Sequence, residues 1–527
     1  MNNAPRADKP VECSIPRTSD GLKPPPIHLM QRVPFGHAKL PLFGVERSRA
    51  IELQASATLP PHTLMQRAGL AVARLALAVA PHAQRIWVAA GPGNNGGDGL
   101  DAAIHLLAAG KRVHITLQAP AHHLPADARD ALARAQAAGV IISDEGPPVL
   151  ALHDLAIDAL LGIGANRAPE GPLASLILQL RSLPCPVLAV DIPSGLDAWS
   201  GQTLGDTCVR AQHTLALIAL KPGLFTGAGR DHTGAVWLDK LQLDMGGEPP
   251  DAWLSGSECA VIRPREHRQH KGSFGDVAIV GGASGMTGAA LLAARAAHAA
   301  GAGRIYVSLL DDTAMTVDSR RPELMFRRRG WTANEALLGR STVVCGCGGG
   351  EAIREPLPRL LSAAARLVLD ADALNAIAAD PPLQSLLRAR AARQRATVLT
   401  PHPLEAARLL GGTAAQVQAN RLQAAQALAD QFRCVVLLKG SGTVIASPDE
   451  TPHINPTGNA ALATAGTGDV LAGWIGGLWS QQASTTSVNA ARQVACSVAF
   501  IHGDAADRAG VAVLRASELI DHMRERH

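Results

Sequence analysis

The chain has 527 residues, of which 47% are hydrophobic and 18% are charged, and its formal net charge is only +4. This length is too great for one hydrophobic core, so we expect two domains. The sequence has no run of five basic residues and no apolar run of the ~18 residues that a membrane span needs, which argues against nucleic-acid and membrane partners. The eight cysteines form no CxxC pair, and we expect reduced, buried thiols in a cytoplasmic protein.

Residues 1–38 differ in composition from the rest of the chain. They contain seven prolines and lack the apolar stretch of a signal peptide. We predict a flexible, proline-rich tail here, or a start of translation assigned too far upstream.

From about residue 40, helical and strand-like patterns alternate along the first half of the chain. Helices are predicted over residues 63–80, 98–109 and 125–138. Strands are predicted over 85–90, 113–117, 140–143, 154–160, 186–190, 213–220 and 235–241. This alternation predicts right-handed crossovers and a mostly parallel sheet.

A second alternating series follows a segment rich in glycine and proline, DMGGEPPDAWLSGSE, at residues 244–258. We interpret that segment as a linker between a domain at 39–247 and a domain at 248–527. The later strands are predicted over 276–280, 304–309, 342–345, 366–369, 397–400, 434–438 and 443–447, and the later helices over 288–300, 404–410, 414–430, 470–479 and 490–509. The predicted fold class is therefore two tandem α/β domains.

Three predicted strands of the first domain end in motifs rich in glycine and small polar residues. These are GPGNNGGDGL at 91–100, DALLGIG at 158–164 and DIPSGLDA at 191–198. Ligands of open parallel sheets bind at the carboxyl ends of the strands, so a ligand site is expected here. The oxygens of Asn95, Asp158 and Ser194 could hold a monovalent cation such as potassium. The alternative is that these steps are ordinary turns.

These motifs, together with LMQRAG at 64–69 and ALKPGL at 219–224, resemble the YjeF N-terminal domain, the NAD(P)H-hydrate epimerase. The resemblance covers about residues 40–243. It implies a Rossmann-like three-layer domain that interconverts the R and S hydrates of NADH and NADPH. It implies potassium at Asn95, Asp158 and Ser194, and it makes Asp191 the candidate proton-transfer group. The implied substrate contacts are Asn94, Asn95, Gly96, Gly97, Asp98, Gly162, Ile163, Gly164, Ala165, Asn166, Arg167, Ala168 and Asp191.

The second domain carries LKGSGT at 438–443 and GTGD at 466–469, the latter at the start of a predicted helix. A helix N-terminus stabilises phosphate charge, and a neighbouring carboxylate can take a proton from an attacking hydroxyl. This arrangement suits phosphoryl transfer from ADP or ATP to an alcohol, with Asp469 as the base. One alternative is that Asp469 only caps the helix or places a favourable negative charge in its first turn. Another concerns His402, which lies between two prolines and is then an ordinary loop residue.

With KGSFG at 271–275 and TPHPLEAARLL at 400–410, this constellation resembles the ribokinase superfamily, and in particular its YjeF C-terminal branch, the ADP-dependent NAD(P)H-hydrate dehydratase. The resemblance covers about residues 259–524. It implies ADP as co-substrate with Mg²⁺, and hydrate contacts at Ala289, His402, Asp469 and a glycine of CGCGGG, either Gly346 or Gly348. The family usually has GPGLG at that last motif. The implied nucleotide contacts are Lys439, Gly440, Ser441, Gly442, Thr443 and Gly468.

The two resemblances together imply a bifunctional, cytoplasmic and homo-oligomeric enzyme that repairs hydrated NADH and NADPH (NADHX and NADPHX). One alternative is a small-molecule kinase of the ribokinase type. Another is that the first domain is a non-catalytic binding module fused to that kinase.

Overall fold

The computed structural model of the chain describes residues 30–33, 38–146, 148–245, 247–260, 264–328, 334–482 and 486–525. Its strands, numbered in chain order, are β1 (Gln31–Arg32), β2 (Leu40–Leu42), β3 (Arg85–Ala90), β4 (Arg112–Leu117), β5 (Ile141–Ser143), β6 (Leu155–Ala159), β7 (Val187–Val190), β8 (His213–Leu217), β9 (Ala235–Asp239), β10 (Ala252–Leu254), β11 (Asp276–Gly281), β12 (Arg304–Leu309), β13 (Met325–Phe326), β14 (Thr342–Cys345), β15 (Arg366–Leu369), β16 (Thr397–Leu399), β17 (Val435–Leu438), β18 (Val444–Ala446) and β19 (His453–Ile454).

The helices are α1 (Val45–Ser56), α2 (Thr63–Val79), α3 (Asn94–Ala108), α4 (Ala126–Ala137), α5 (Gly171–Ser182), α6 (Gly229–His232), α7 (Thr287–Ala299), α8 (Glu335–Arg340), α9 (Leu357–Ala363), α10 (Ala371–Ala378), α11 (Pro381–Ala392), α12 (Pro403–Leu410), α13 (Ala414–Ala419), α14 (Arg421–Phe432), α15 (Thr467–Ser480), α16 (Val488–Ala509) and α17 (Ala516–Arg524). None of these helices has both the length and the apolar character needed to cross a membrane.

The first sheet has eight strands in the order β1-β9-β8-β7-β6-β3-β4-β5. All pairs are parallel except β1 with β9. Side chains of a strand alternate between the two faces of its sheet. Accordingly, Ile86 and Val88 pack with α2, α3 and α4 on one face, and Trp87 and Ala89 pack with α5 on the other. The predicted three-layer domain is confirmed.

The second sheet has eleven strands in the order β13-β12-β11-β14-β15-β16-β17-β18-β19-β10-β2. The seven strands from β13 to β17 are parallel, and β18 is antiparallel to both of its neighbours. Val277 and Ile279 face α7, α15 and α16, whereas Ala278 and Val280 face the cluster that contains α9, α10 and α14. Helices therefore cover both faces, as the prediction of two tandem α/β domains requires.

The short strands β1 and β2 pair with partners that the predicted domain bounds do not anticipate. Gln31–Arg32 lies in the predicted tail but forms β1, while residues 1–29 and 34–37 are outside the described part of the chain. Leu40–Leu42 lies within the predicted first domain, at its start, yet pairs with β10 in the second sheet. Because β10 itself lies in the predicted linker, that linker is a structural element of the second sheet over Ala252–Leu254.

Candidate active sites

The loops that follow β3, β6 and β7 surround a cavity of about 780 Å³, which we call the first pocket. This is the carboxyl edge of the parallel strands, where ligands of such sheets bind. Of the predicted substrate contacts, those that line the first pocket are Asn94, Asn95, Asp98, Gly162, Ile163, Gly164, Ala165, Asn166, Arg167, Ala168 and Asp191.

Gly96 and Gly97 have a different environment from their neighbours in NNGGD. A β-carbon at Gly96 would overlap the carbonyl oxygen of Gly91, and one at Gly97 would lie against the side chain of Met65. These two glycines therefore allow close packing of α3 against Gly91 and Met65. They are not among the residues that line the first pocket.

Asp191 and Lys221 form an ion pair in the wall of the first pocket. Asp191 follows β7 in a left-handed conformation with φ of 66°, which is uncommon for a residue other than glycine. Its Oδ1 also accepts a hydrogen bond from the Leu217 backbone N–H at 3.0 Å, and the Lys221 ammonium donates to the Leu217 carbonyl at 2.9 Å. Lys221, the lysine of ALKPGL, is a site residue that sequence reasoning missed.

Two further carboxyl groups lie beside this ion pair. Burial, followed by the negative charges of Asp191 and Glu52, raises the pKa of Asp98 well above its ordinary value. Burial and the charge of Asp191 also raise the pKa of Glu52. The first pocket therefore contains a carboxylate in an ion pair beside two carboxyl groups whose pKa values are raised, which is the composition of an acid–base site.

The three residues proposed for potassium lie at the same edge of the sheet. Asp158 is fully buried, and its carboxylate accepts hydrogen bonds from the Ser194 hydroxyl at 2.6 Å and the Ser194 backbone N–H at 2.8 Å. Burial raises the pKa of Asp158 to about 6, with the Ser194 hydrogen bonds opposing the increase. Within the described part of the chain, no lysine, arginine or histidine is paired with this carboxylate.

Asn95 supplies an amide to the same region, and its Nδ2 is buried without a hydrogen-bond partner among the described residues. The oxygens of Asn95, Asp158 and Ser194 are the ligand type that hard cations prefer. A buried carboxylate that lacks a cationic partner fits a bound monovalent cation.

In the second domain, Lys439 at the end of β17 joins several predicted site residues. Its Nζ lies 2.7 Å from Asp370 Oδ1 and 4.0 Å from Glu405 Oε2. A β-carbon at Gly468 would lie only 3.3 Å from the same Nζ. Burial opposes the charge of Lys439, but Asp370 and Glu405 outweigh burial and raise its pKa. We call this group of residues the second site.

Asp469 lies in the first turn of α15, beside Lys439 and Asp370. Burial, then the charge of Asp370, raises the pKa of Asp469 to about 6, whereas the neighbouring Cys347 thiol, which donates to Asp370 Oδ2 at 4.0 Å, opposes the increase. Ligand atoms of Cys347, Asp370 and Asp469 lie within 4.8 Å of one another. The two carboxylates are suitable ligands for a magnesium ion bound with nucleotide phosphates.

His402 begins α12, where its Nδ1 accepts hydrogen bonds from the backbone N–H groups of Leu404 and Glu405. Its Nε2 lies 3.2 Å from Glu405 Oε1. Burial and the charge of Lys439 lower the pKa of His402, and burial raises the pKa of Glu405 to about 7. Sequence reasoning missed Glu405, which lies in TPHPLEAARLL, and Asp370, which directly follows β15.

The remaining predicted hydrate contacts are adjacent to each other. A β-carbon on Gly348, whose φ is 58°, would lie 2.9 Å from the β-carbon of Ala289. A β-carbon on Gly346 would instead overlap the carbonyl oxygen of Asp370. The structure thus brings Gly348 and Ala289 together, and it places Gly346 against the backbone below the site.

The predicted nucleotide loop, Lys439, Gly440, Ser441, Gly442 and Thr443, connects β17 to β18 in the second sheet. It is a tight turn in which the Thr443 hydroxyl donates to the Gly440 carbonyl at 3.1 Å. Gly440 and Gly442 both have positive φ, at 135° and 62°. The loop therefore needs glycine at these two positions.

Two protein-family models match the chain. A model described as YjeF-related protein N-terminus matches residues 61–223, and a model described as NAD(P)H-hydrate dehydratase matches residues 277–523. The first match contains the first pocket's loops, and the second contains all the residues of the second site.

Curated relatives match both domains together. The chain is 36% identical over 460 residues to the bifunctional NAD(P)H-hydrate repair enzyme Nnr of Escherichia coli, a match that covers 85% of each chain. It is 35% identical over 497 residues to the enzyme of the same name from Coxiella burnetii, covering 92% of this chain and 98% of the relative. Among solved structures, the ADP/ATP-dependent NAD(P)H-hydrate dehydratase of Bacillus subtilis, co-crystallised with ATP and Mg²⁺, is 28% identical, with a TM-score of 0.41; the match covers 51% of this chain and 94% of that one.

Proposed function

Because the chain belongs to the family of bifunctional NAD(P)H-hydrate repair enzymes, we propose that each domain catalyses one step of repair at the site described above. The N-terminal domain interconverts the R and S hydrates at the first pocket. The C-terminal domain converts the S hydrate to NAD(P)H at the second site, with ADP as co-substrate.

The observation that carries the proposal is the arrangement around Lys439. An ammonium group held by Asp370, a helix N-terminus and the Asp469 carboxylate meet at one point. The ammonium group and the helix N-terminus both stabilise phosphate charge, and the carboxylate can accept a proton. This combination supports transfer of a phosphoryl group to a hydroxyl.

In the proposed dehydration, Asp469 takes the proton of the C6 hydroxyl while that oxygen attacks the β-phosphorus of ADP and AMP leaves. The lone pair of the ring nitrogen then expels inorganic phosphate from C6, and loss of a proton from C5 completes the double bond of NAD(P)H. Lys439 and the first turn of α15 stabilise the negative charge on the transferred phosphoryl group. Asp370 would hold magnesium bound with the nucleotide, and the ion would neutralise further phosphate charge.

In the proposed epimerisation, a protonated Asp98 donates its proton to the C6 hydroxyl, which leaves as water with the help of the ring nitrogen. Asp191 then takes a proton from the water that adds to the other face of C6. Exchange of one proton with solvent at each group, loss from Asp191 and gain by Asp98, restores the enzyme for the next turnover. Lys221 holds the Asp191 carboxylate in place through their ion pair. Potassium would be held by Asn95, Asp158 and Ser194, and its charge would offset that of the buried Asp158 carboxylate.

The experiment that tests this proposal supplies NADHX epimers and ADP, and measures NADH by absorbance together with AMP and inorganic phosphate. We expect the three products in equal amounts. A kinase would instead produce a stable phosphorylated compound without NADH, and that result would refute the proposal. Asp469→Asn should reduce the rate by roughly 10²- to 10⁴-fold, because it removes the general base. Asp380→Asn, which changes a carboxylate that caps α11, is the matched control.

A further inference from the structure

The nucleotide loop at residues 439–443 is held in place by a segment of the other domain. The Thr226 hydroxyl of the N-terminal domain lies 3.3 Å from the Ser441 carbonyl and 3.4 Å from the Gly442 carbonyl, both of which can accept its hydrogen bond. The Gly227 backbone N–H donates to the Ser441 carbonyl at 3.2 Å. Thr226 is only 1% exposed, so solvent cannot replace these hydrogen bonds without separating the domains.

The backbones of the two segments are in close contact at Gly442. Gly442 is buried with φ of 62°, and a β-carbon there would overlap the carbonyl oxygen of Phe225. Any side chain at Gly442 would thus displace residues 225–227 of the N-terminal domain. The conformation of the nucleotide loop is therefore fitted to this segment.

The N-terminal domain also contacts the group that holds the beginning of the loop. The buried Arg421 side chain donates to the Leu438 carbonyl at 3.2 Å and to the Lys439 carbonyl at 3.1 Å. Arg421 donates as well to Gln418 Oε1 at 2.7 Å, and Gln202 of the N-terminal domain donates to the Gln418 carbonyl at 3.0 Å. Both ends of the loop are thus linked to the N-terminal domain.

This arrangement has a direct consequence for nucleotide binding. A free loop with two glycines samples many backbone conformations. If nothing held the loop, nucleotide binding would include the unfavourable entropy change of fixing it in one conformation. Contacts that hold the loop in one conformation beforehand increase affinity without touching the ligand. The benefit applies to the nucleotide and not to the hydrate, because the implied hydrate contacts lie on other loops.

We propose that residues 225–227 of the N-terminal domain are positioning residues for the nucleotide site of the C-terminal domain, and that Thr226 sets the affinity of that site for ADP. The inference rests on the proposed function only for the identity of the nucleotide.

The test uses the full chain with Thr226→Val, which keeps the shape of the side chain and removes its hydroxyl. Thr233→Val is the matched control, because Thr233 is also buried and its hydroxyl lies 3.4 Å from the Leu224 carbonyl within the N-terminal domain. We expect Thr226→Val to raise the KM for ADP by about 3- to 10-fold, which corresponds to the loss of one hydrogen bond. The KM for the hydrate should stay unchanged, and Thr226→Ser should restore the wild-type value.

Calorimetric titration with ADP provides a measurement that does not depend on turnover. A wild-type protein that binds ADP without forming NADH would refute the proposed function, while the comparison of the variants would still decide this inference. Gln202→Ala, at a partly exposed position, is a second variant, and it should also weaken ADP binding. Equal ADP affinities in Thr226→Val and Thr233→Val, or equal increases of both KM values, would overturn the inference.

Discussion

At the scale of single residues, the Asp469 carboxyl determines how dehydration should respond to pH. Burial raises its pKa to about 6, and the proposed base is the ionised form. We therefore expect kcat/KM for the S hydrate to be constant above about pH 7 and to fall tenfold per pH unit well below about 6. Initial rates of NADH formation across this range measure the acid limb.

The Cys347 thiol, whose sulfur lies within 4.8 Å of an Asp469 carboxylate oxygen, gives a second test of this pH dependence. Because the thiol lowers the pKa of Asp469, Cys347→Ala should move the acid limb to higher pH. Cys345→Ala is the matched control, since Cys345 is equally buried and its pKa is raised by burial alone. An acid limb at the same pH in both variants would contradict the role assigned to Asp469.

The Asp158 carboxyl makes a prediction about stability. Burial raises its pKa from 3.8 to about 6, so the folded protein binds this proton more tightly than the unfolded chain does. The free energy of unfolding therefore falls as the pH rises from 3.8 to about 6, and at pH 7 the total decrease is about 3 kcal/mol. A bound cation should recover part of it. We expect KCl to raise the melting temperature at pH 7, relative to choline chloride at the same concentration, and to have little effect at pH 4, where Asp158 is protonated.

Two variants test whether Asp158 causes the effect of potassium on the melting temperature. Asp158→Asn should abolish the specific effect of potassium. Asp154→Asn changes another buried carboxylate, one that is paired with Arg85, and should keep the potassium effect despite lower stability. Equal potassium effects in all three proteins would exclude a cation at Asp158.

At the scale of elements, the buried parallel strands were the most predictable part of the fold. The predictions for 85–90, 304–309, 342–345 and 366–369 coincide with β3, β12, β14 and β15, because short apolar runs bounded by glycine or polar residues are typical of such strands. The strands β1, β2, β10, β13 and β19 were missed since two or three residues are too few to show a pattern. The helix predicted over 414–430 is divided at Asn420, whose side chain caps α14.

The start of α3 shows how packing overrides local preference. The prediction began this helix at residue 98, because asparagine and glycine are poor helix formers, but the helix begins at Asn94. Gly96→Ala should lower the free energy of unfolding by roughly 1–3 kcal/mol, since its β-carbon would overlap the Gly91 backbone. Gly93→Ala, with nothing within 4 Å of its β-carbon, should change it little. Urea unfolding measures both, and equal values would show that Gly96 has no packing role.

At the scale of the whole molecule, the sequence motifs at strand ends predicted which loops meet. These motifs could not predict the partners that only tertiary structure brings to the loops, such as Lys221 beside Asp191 or Asp370 beside Lys439. The prediction of an NAD(P)H-hydrate repair enzyme with two catalytic domains is confirmed. The roles of individual site residues, the homo-oligomeric state and the cytoplasmic location stay predictions.

The two domains are also less separate than a linker between them suggests. One hydrophobic cluster contains Leu42, Leu220 and Phe225 together with Leu438 and Ile454. Because β2 pairs with β10, the chain contributes a strand to the second sheet between β1 and β3 of the first sheet. A cut between the domains would therefore expose apolar surface on both sides, and point variants in the full chain are the better way to separate the two activities.

Two sites, one in each domain, are proposed to act in sequence on one substrate, and pure R hydrate with ADP tests this most directly. The wild-type protein should form NADH from it. Asp191→Asn should lose this activity down to the rate of uncatalysed epimerisation while still repairing the S hydrate, and Asp197→Asn, in the same loop, should not. Asp469→Asn should form NADH from either hydrate at a rate lower by roughly 10²- to 10⁴-fold. A mixture of the Asp191→Asn and Asp469→Asn proteins should again form NADH from the R hydrate, whereas absence of ADP-dependent NADH formation by the wild-type protein would contradict the account.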